Sequence, residues 1–277
     1  MASDLVQAAT LGVVQGITEF LPVSSTGHLI VVPALLGWRD GVVNELNFDV
    51  ALHVGTLIAV VGAFWRDWVD LAGAAWRSLR DRSLAEPEAR LAWLIALGTV
   101  PAALAGALFQ RQVESVLRSP LVVGTMMVAV GLILAVVDRL ARHERDELDL
   151  RPLDALAIGI GQALALIPGT SRSGATIATG LALGLTRPAA ARFSFLLSAP
   201  ITFGAVAKQS VDVARHGLSS SEMAMFGVGA VTAGVSGIIA IRGLLHFLRS
   251  RGLMPFVIYR VIAGALIIGL AASGRLE

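Results

Sequence analysis

Residues 12–37 read Gly-Val-Val-Gln-Gly-Ile-Thr-Glu-Phe-Leu-Pro-Val-Ser-Ser-Thr-Gly-His-Leu-Ile-Val-Val-Pro-Ala-Leu-Leu-Gly, and residues 159–184 read Gly-Ile-Gly-Gln-Ala-Leu-Ala-Leu-Ile-Pro-Gly-Thr-Ser-Arg-Ser-Gly-Ala-Thr-Ile-Ala-Thr-Gly-Leu-Ala-Leu-Gly. These are one segment written twice, 147 positions apart: Gly12/Gly159, Gln15/Gln162, Ser24/Ser171, Gly27/Gly174, Ile30/Ile177, Leu36/Leu183 and Gly37/Gly184 are identical, and Thr26 meets Ser173. The differences carry as much information as the matches. The first copy has Glu19, Ser25 and His28 where the second has Leu166, Arg172 and Ala175. A duplicated scaffold has thus given acid, hydroxyl and imidazole to one half and a guanidinium to the other.

The surroundings are a membrane protein's. Of 277 residues, 55% are hydrophobic and 15% charged, with a mean hydropathy of +0.75, against about 25% charged residues in soluble domains. With no cysteine, disulfides and thiolate metal sites are excluded. Met1–Thr10 holds Asp4 and no basic residue, which does not read as a removable signal peptide. A pI near 9.9 does not imply a nucleic-acid partner here, because the basic residues are scattered through short loops between apolar runs, as positive-inside topology demands.

Six stretches read as full crossings: about 48–65, 91–109, 120–138, 193–207, 224–241 and 254–272. The apolar regions 5–36 and 153–185 do not fit. Each is about 32 residues, too long for one crossing and too short for two, and each is interrupted by Pro and a Ser/Thr/Gly cluster at Pro22–His28 and Pro168–Gly174. Irregular backbone at membrane depth is tolerated only inside protein or beside a wet cavity, so both read as re-entrant half-helix pairs with the polar cluster at the tip. The expected fold is an all-α polytopic membrane protein in a single membrane domain, 1–277. It contains two repeats, about 4–138 and 151–272, each a re-entrant pair plus three transmembrane helices. Three is odd, so the second repeat is inverted relative to the first, a known way of building a site near the midplane.

Loops 66–90, 139–151 and 242–253 hold twelve arginines: Arg66, Arg77, Arg80, Arg82, Arg90, Arg139, Arg142, Arg145, Arg151, Arg242, Arg249 and Arg251. The opposite side holds six basic residues, Arg39, Arg111, Arg118, Lys208, Arg215 and Arg275. The first set is therefore cytoplasmic, and the first re-entrant pair opens outward. Trp38, Trp65, Trp68 and Trp93 fall at span ends, where aromatic belts lie.

Glu19, within an apolar run, costs about 2.5–3.5 kcal/mol on insertion scales and is by default a functional residue. Gln15 shares its helical face, and the two oxygen-bearing side chains suit a hydrated divalent cation. In Ser24-Ser25-Thr26-Gly27-His28, hydroxyls beside an imidazole suit a nucleophile and its base or donors to a phosphate, while one serine caps the second half-helix. In Pro168–Thr176, glycines allow close approach, hydroxyls donate, and Arg172 suits bidentate anion recognition, with a helix N-terminus aimed at the same place. A phosphate or diphosphate is the implied ligand. Asp49 and His53 are one turn apart near a span entrance, where lining the cavity is one reading and capping and packing are at least as strong a one. Arg187 and Arg192 mark a cytoplasmic helix end, and Arg77–Arg90 reads as a solvated loop.

Gln15–His28 and Pro168–Thr176 together, followed by Phe193-Ser-Phe-Leu-Leu, resemble the undecaprenyl-diphosphate phosphatases, also called bacitracin-resistance phosphatases. The resemblance covers essentially the whole chain. It implies hydrolysis of the C55 isoprenyl diphosphate carrier to its monophosphate plus phosphate at the bacterial plasma membrane, recycling the lipid for peptidoglycan synthesis. It places the family's metal motif on Gln15 and Glu19, with Gln leaving one fewer carboxylate, and implies Mg²⁺ or Ca²⁺. Glu19, His28, Ser25 and Arg172 become the catalytic set. Ser24, Thr26, Gly169, Ser171, Arg172, Ser173 and Thr176 become the phosphate-binding set. The family also suggests a homodimer and a site opening to the outer face. Six residues after Arg172 stands Ala178, where the other lipid phosphatase superfamily needs histidine. An inverted-repeat transporter, or a flippase for a phosphate-bearing lipid, is the rival reading.

Overall fold

Pro22 and Pro168 sit where helices stop. In the computed structural model, which describes residues 2–38, 46–116, 119–217, 219–274 and 276, region 5–36 divides into α1 (Ala2–Phe20) and α2 (Ser25–Leu36). Region 153–185 likewise divides into α7 (Pro152–Leu164) and α8 (Arg172–Ala182). Within each pair the helices pack on one another. The residues that start the second helices, Ser24 and Ser171, have φ of 74° and 71°. Positive φ in a residue with a side chain costs about 1–3 kcal/mol and persists only where its surroundings enforce it. The two breaks thus repeat the same strained geometry at matched positions.

The remaining helices are α3 (Leu46–Ala63), α4 (Trp65–Asp81), α5 (Pro87–Val116), α6 (Pro120–Leu140), α9 (Arg187–His216), α10 (Ser220–Leu248) and α11 (Met254–Ala272). Among the described residues, five helices (α5, α6, α9, α10 and α11) are long and apolar enough to cross a membrane. A sixth span results if α3 and α4, bent by 75° at Phe64, count as one. The outward faces of α6, α10 and α11 expose Leu132, Ile133, Val136, Val231, Val235, Ile239, Ile258, Ile262 and Leu266. Such faces suit lipid rather than water. The chain is a polytopic helical membrane protein.

Two expectations need correction. The crossing at 48–65 does not run straight on, since its helix ends at Ala63 and turns away. Much of the expected loop 66–90, including the start of its solvated part Arg77–Arg90, belongs to α4, an amphipathic helix that buries Leu71, Ala74 and Ser78 against α5. Trp93 Nε1 donates to Ser78 Oγ at 3.0 Å. The many charges of this stretch hid the three-to-four spacing of its buried face. Arg39, Arg118 and Arg275 lie outside the described residues, as do the side chains of Arg111 and Arg215.

The halves interlock through close helix crossings. α1 lies on α10, and α7 lies on α5. A Cβ on Gly12 would come within 2.6 Å of the Gly229 carbonyl oxygen, and one on Gly159 within 2.3 Å of the Gly98 carbonyl oxygen. In lipid, where helices gain little from hiding apolar surface, such small-residue crossings supply the packing. At one end of the bundle, Arg187 Nε meets Asp138 Oδ1 at 2.5 Å, Arg145 meets Asp154 at 2.6 Å, and Arg192 pairs with both Asp67 and Glu147. Arg187 and Arg192 therefore tie helices together as well as marking a helix end.

Gly159→Val is expected to push α7 off α5 and to lower the thermal midpoint in detergent by an amount corresponding to about 1–3 kcal/mol, the usual cost of overpacking. Gly243→Val, whose Cβ meets nothing within 4 Å, is the control. Equal midpoints for the two variants would refute the close crossing.

Candidate active site

Glu19, near the end of α1, is 8% exposed, and both oxygens of its carboxylate accept hydrogen bonds. Oε1 accepts from Arg172 Nη2 at 2.5 Å; Oε2 accepts from Ser25 Oγ at 2.6 Å and from Gln15 Nε2 at 3.1 Å. The ion pair joins the last turn of α1 to the first of α8, bringing together the acid of one copy and the guanidinium of the other. Arg172 Nη1 donates to Thr202 Oγ1 at 2.5 Å and to the Ser198 carbonyl at 3.2 Å, both on α9. A buried pair repays its desolvation only when further hydrogen bonds support it, and here Thr202, Ser198, Ser25 and Gln15 supply them.

A cavity of about 210 Å³ opens over this pair, lined by Glu19, Ser24, Ser25, Thr26, Gly169, Ser171 and Arg172, together with His53, Gln162 and Thr202. It adjoins a larger space of about 660 Å³ whose walls are mostly small and apolar, with Ala102, Ala103, Gly106 and Ala107 from α5 and Ile201, Gly204 and Ala205 from α9. The two share Thr26, His53, Ala102, Ala165, Leu166, Ile201 and Ala205. A small polar chamber continuous with an apolar channel suits an amphiphile with an anionic head.

Not every residue singled out in the sequence faces this chamber. Ser173 donates to the Leu21 carbonyl at 3.0 Å, and Thr176 Oγ1 lies 2.6 Å from Ser194 Oγ while donating to the Arg172 carbonyl. Both side chains join tips and helices. Ser171 Oγ caps α8 by accepting from Gly174 N. His28 lies behind the first tip, with Nδ1 2.7 Å from the Ser24 carbonyl and Nε2 2.5 Å from the Tyr259 hydroxyl, its ring stacked on Tyr259. Gln15 is buried below Glu19 and its Oε1 has no partner. Among the described residues no three His, Cys, Asp or Glu side chains cluster as a metal cage. The donor set instead fits a divalent cation that takes a carboxylate and an amide oxygen from the protein and further oxygens from a ligand.

Sequence reasoning missed Arg260, in the middle of α11. It is 0% exposed and donates to five backbone carbonyls: Met127, Pro22, Met126, Gly169 and Thr170, at 3.0–3.3 Å. Pro22 belongs to one tip, and Gly169 and Thr170 to the other, so a single guanidinium holds both. The insertion-cost argument that picked out Glu19 applies equally to an arginine inside 254–272 and was the available signal. His53 was underrated for a different reason: its Nδ1 does bond its own helix, at the Asp49 carbonyl, but the ring also lines both spaces.

Fold and site define a helical integral membrane protein with a polar chamber at the meeting of two broken helices. The family model described as bacitracin resistance protein BacA matches residues 8–266, and the chain belongs to that family. It is 47% identical over 268 residues to an undecaprenyl-diphosphatase of Rubrobacter xylanophilus, covering 96% of this chain and 98% of that one. It is 44% identical over 272 residues to an undecaprenyl-diphosphatase of Pelobacter propionicus, covering 98% of each. Its identity to undecaprenyl-diphosphatase 2 of Stutzerimonas stutzeri is 46%, over 96% and 98% of the two chains.

Arg260→Met is expected to leave carbonyls at both tips without donors, at about 1–3 kcal/mol for each buried acceptor so orphaned. The thermal midpoint in detergent should fall, and Arg260→Lys, which keeps the charge and some donors, should recover part of it. A methionine variant as stable as the parent would contradict the bridging role.

Proposed function

We propose that this chain hydrolyses undecaprenyl diphosphate to undecaprenyl phosphate and inorganic phosphate in the bacterial plasma membrane, returning the lipid carrier to peptidoglycan synthesis and conferring bacitracin resistance. The observation that carries the reading is the Glu19–Arg172 pair with Ser25 Oγ on the same carboxylate, set in a chamber that opens onto an apolar channel. Family membership and the relatives' names support the substrate.

In this reading the diphosphate lies over the hydroxyls of Ser24, Ser25, Thr26 and Ser171 and the guanidinium of Arg172, near the backbone of Gly169. Ser173 and Thr176 serve phosphate binding indirectly, by fixing the tips. The isoprenyl tail follows the Ala- and Gly-lined channel between α5 and α9. Phosphoryl transfer depends mainly on positioning and on neutralising the charge of the transferred group. Arg172 alone does not supply that neutralisation, since Glu19 cancels much of its charge. Mg²⁺ or Ca²⁺ would be held by Glu19 and Gln15 Oε1, and when bound it would supply charge neutralisation for the phosphoryl oxygens. Ser25 Oγ already donates to Glu19, so that carboxylate is placed to receive the hydroxyl proton if Ser25 attacks phosphorus, or to orient Ser25 as a donor if water attacks. His28 holds the Ser24 carbonyl, and with it the direction of Ser25. It becomes a general acid or base once its Nε2 is released from Tyr259.

The reading includes inverted repeats with the arginine-rich loops in the cytoplasm and the chamber opening outward. Support comes from the matched strained serines and from Gly12 and Gly159, each packed on a middle helix of the other half. A homodimer is part of the reading only through the family resemblance.

Purified protein should release phosphate from a C55 or C15 isoprenyl diphosphate, and EDTA should abolish the release. Glu19→Gln and Arg172→Ala, with folding checked by thermal midpoint, should each lose at least about 10²-fold in kcat, the scale for removing a preorganised charge partner. A folded parent that stays inactive with added Mg²⁺ or Ca²⁺ would overturn the phosphatase and favour a carrier. A phosphoenzyme trapped from the parent and from Ser24→Ala, but not from Ser25→Ala, is the outcome expected of the covalent route. Failure to trap one from any of them would favour direct attack by water.

A further inference from the structure

Gln162, on α7, is 3% exposed and lines the chamber together with Glu19, Ser25 and Arg172. Neither its Oε1 nor its Nε2 has a hydrogen-bond partner. A buried amide with both ends open is expensive, because it has given up water at each end and gained nothing. Native structures rarely carry such a group without a reason. An apolar side chain of the same length would fill the volume without that cost.

Its counterpart shows how the vacancy arises. Gln15, at the matched position of the first copy, gives Nε2 to Glu19 one turn along. One turn beyond Gln162 stands Leu166, which accepts nothing. Three Arg172 N–H groups are directed to Glu19, Ser198 and Thr202. Gln162 borders the chamber, and a ligand that satisfies its amide from there must both donate and accept.

We propose that Gln162 positions the attacking water, a role that rests on the phosphatase reading. Oε1 accepts a hydrogen bond from the water, and Nε2 donates to an oxygen of the terminal phosphoryl group. One rigid amide then sets the approach of nucleophile to phosphorus. An amide is well suited to this, since it orients water without taking its proton, as the water-positioning glutamine of GTPases does. The water oxygen bonds to the terminal phosphorus while the bond from that phosphorus to the bridging oxygen breaks. The bridging oxygen leaves with the electron pair on the lipid monophosphate. The proton lost by water ends on the released phosphate, and Gln162 is unchanged. If the route passes through Ser25, the same water attacks the phosphoserine and the bond from phosphorus to Oγ breaks instead.

The test uses the full-length protein in detergent with a C15 isoprenyl diphosphate, comparing the parent with Gln162→Leu. The leucine variant should lose about 10²-fold in kcat, the scale for one preorganised polar group in a transition state. Its KM should stay within about threefold, and its thermal midpoint should be equal or higher because an unpaired amide has been removed. A purely structural glutamine would give the reverse, with stability lowered and kcat kept, and that result overturns the proposal. A rise in KM with kcat intact overturns it in favour of simple substrate binding. If the leucine variant does not fold, Gln162→Glu, equal in shape but lacking the donor, should show a kcat loss of the same order, and unchanged turnover there would also refute the role. An inactive parent removes the phosphatase reading and this inference together. An active parent with an equally active Gln162→Leu removes this inference alone.

Discussion

Glu19 and Arg172 depend on each other. A carboxylate and a guanidinium whose side chains are 7% and 20% exposed are each costly inside a membrane protein, and both costs fall when they meet and take further hydrogen bonds from their surroundings. The constraint reaches outward. Glu19 can meet Arg172 only if α1 ends where α8 begins, which requires two broken helices, tip to tip. The tips in turn stay together because Arg260 binds carbonyls from both and Ser173 reaches the Leu21 carbonyl. The strained serines at 24 and 171 are tolerated in that setting. Chamber, capping and helix crossings follow from placing two opposite charges where the bilayer alone would admit neither.

How far the sequence discloses this arrangement depends on the kind of signal. The helix breaks were legible because proline and a run of hydroxyls interrupt apolar stretches at both copies, and the structure divides each region there. Glu19, Ser25 and Arg172 were legible as chemistry because such groups are rare in apolar segments, and the structure brings them into one hydrogen-bonded set. α4 was not legible. Its buried face is only Leu71, Ala74 and Ser78, too sparse to stand out among three arginines and three aspartates, and its partner α5 is set by tertiary packing. Arg260 and Gln162 escaped because each lies inside a segment already explained, one as a crossing and one as the echo of Gln15. Their importance comes from what they face, five carbonyls in one case and no partner in the other, and neither fact is local in sequence.

The two copies have diverged in the same positions that the site uses. Where the first has a carboxylate, the second has Leu166; where the first has Ser25, the second has Arg172. Backbone features survived the divergence, namely the positive φ and the crossing glycine, while side-chain chemistry separated into complementary roles. The matched backbone supplies the frame and the unmatched side chains its polar groups, as expected when function is grafted onto a fold rather than dictated by it.

The separation of 153 residues between Glu19 and its counter-charge has a bearing on biogenesis. Ribosomes deliver the acid first. Until the chain has been extended past Arg172, the first helix pair holds a carboxylate with no guanidinium to meet it, so its final depth in the bilayer is set late. A nascent chain arrested before that point holds a polar hairpin whose acid lacks its counter-charge, whereas the completed chain pairs and conceals it.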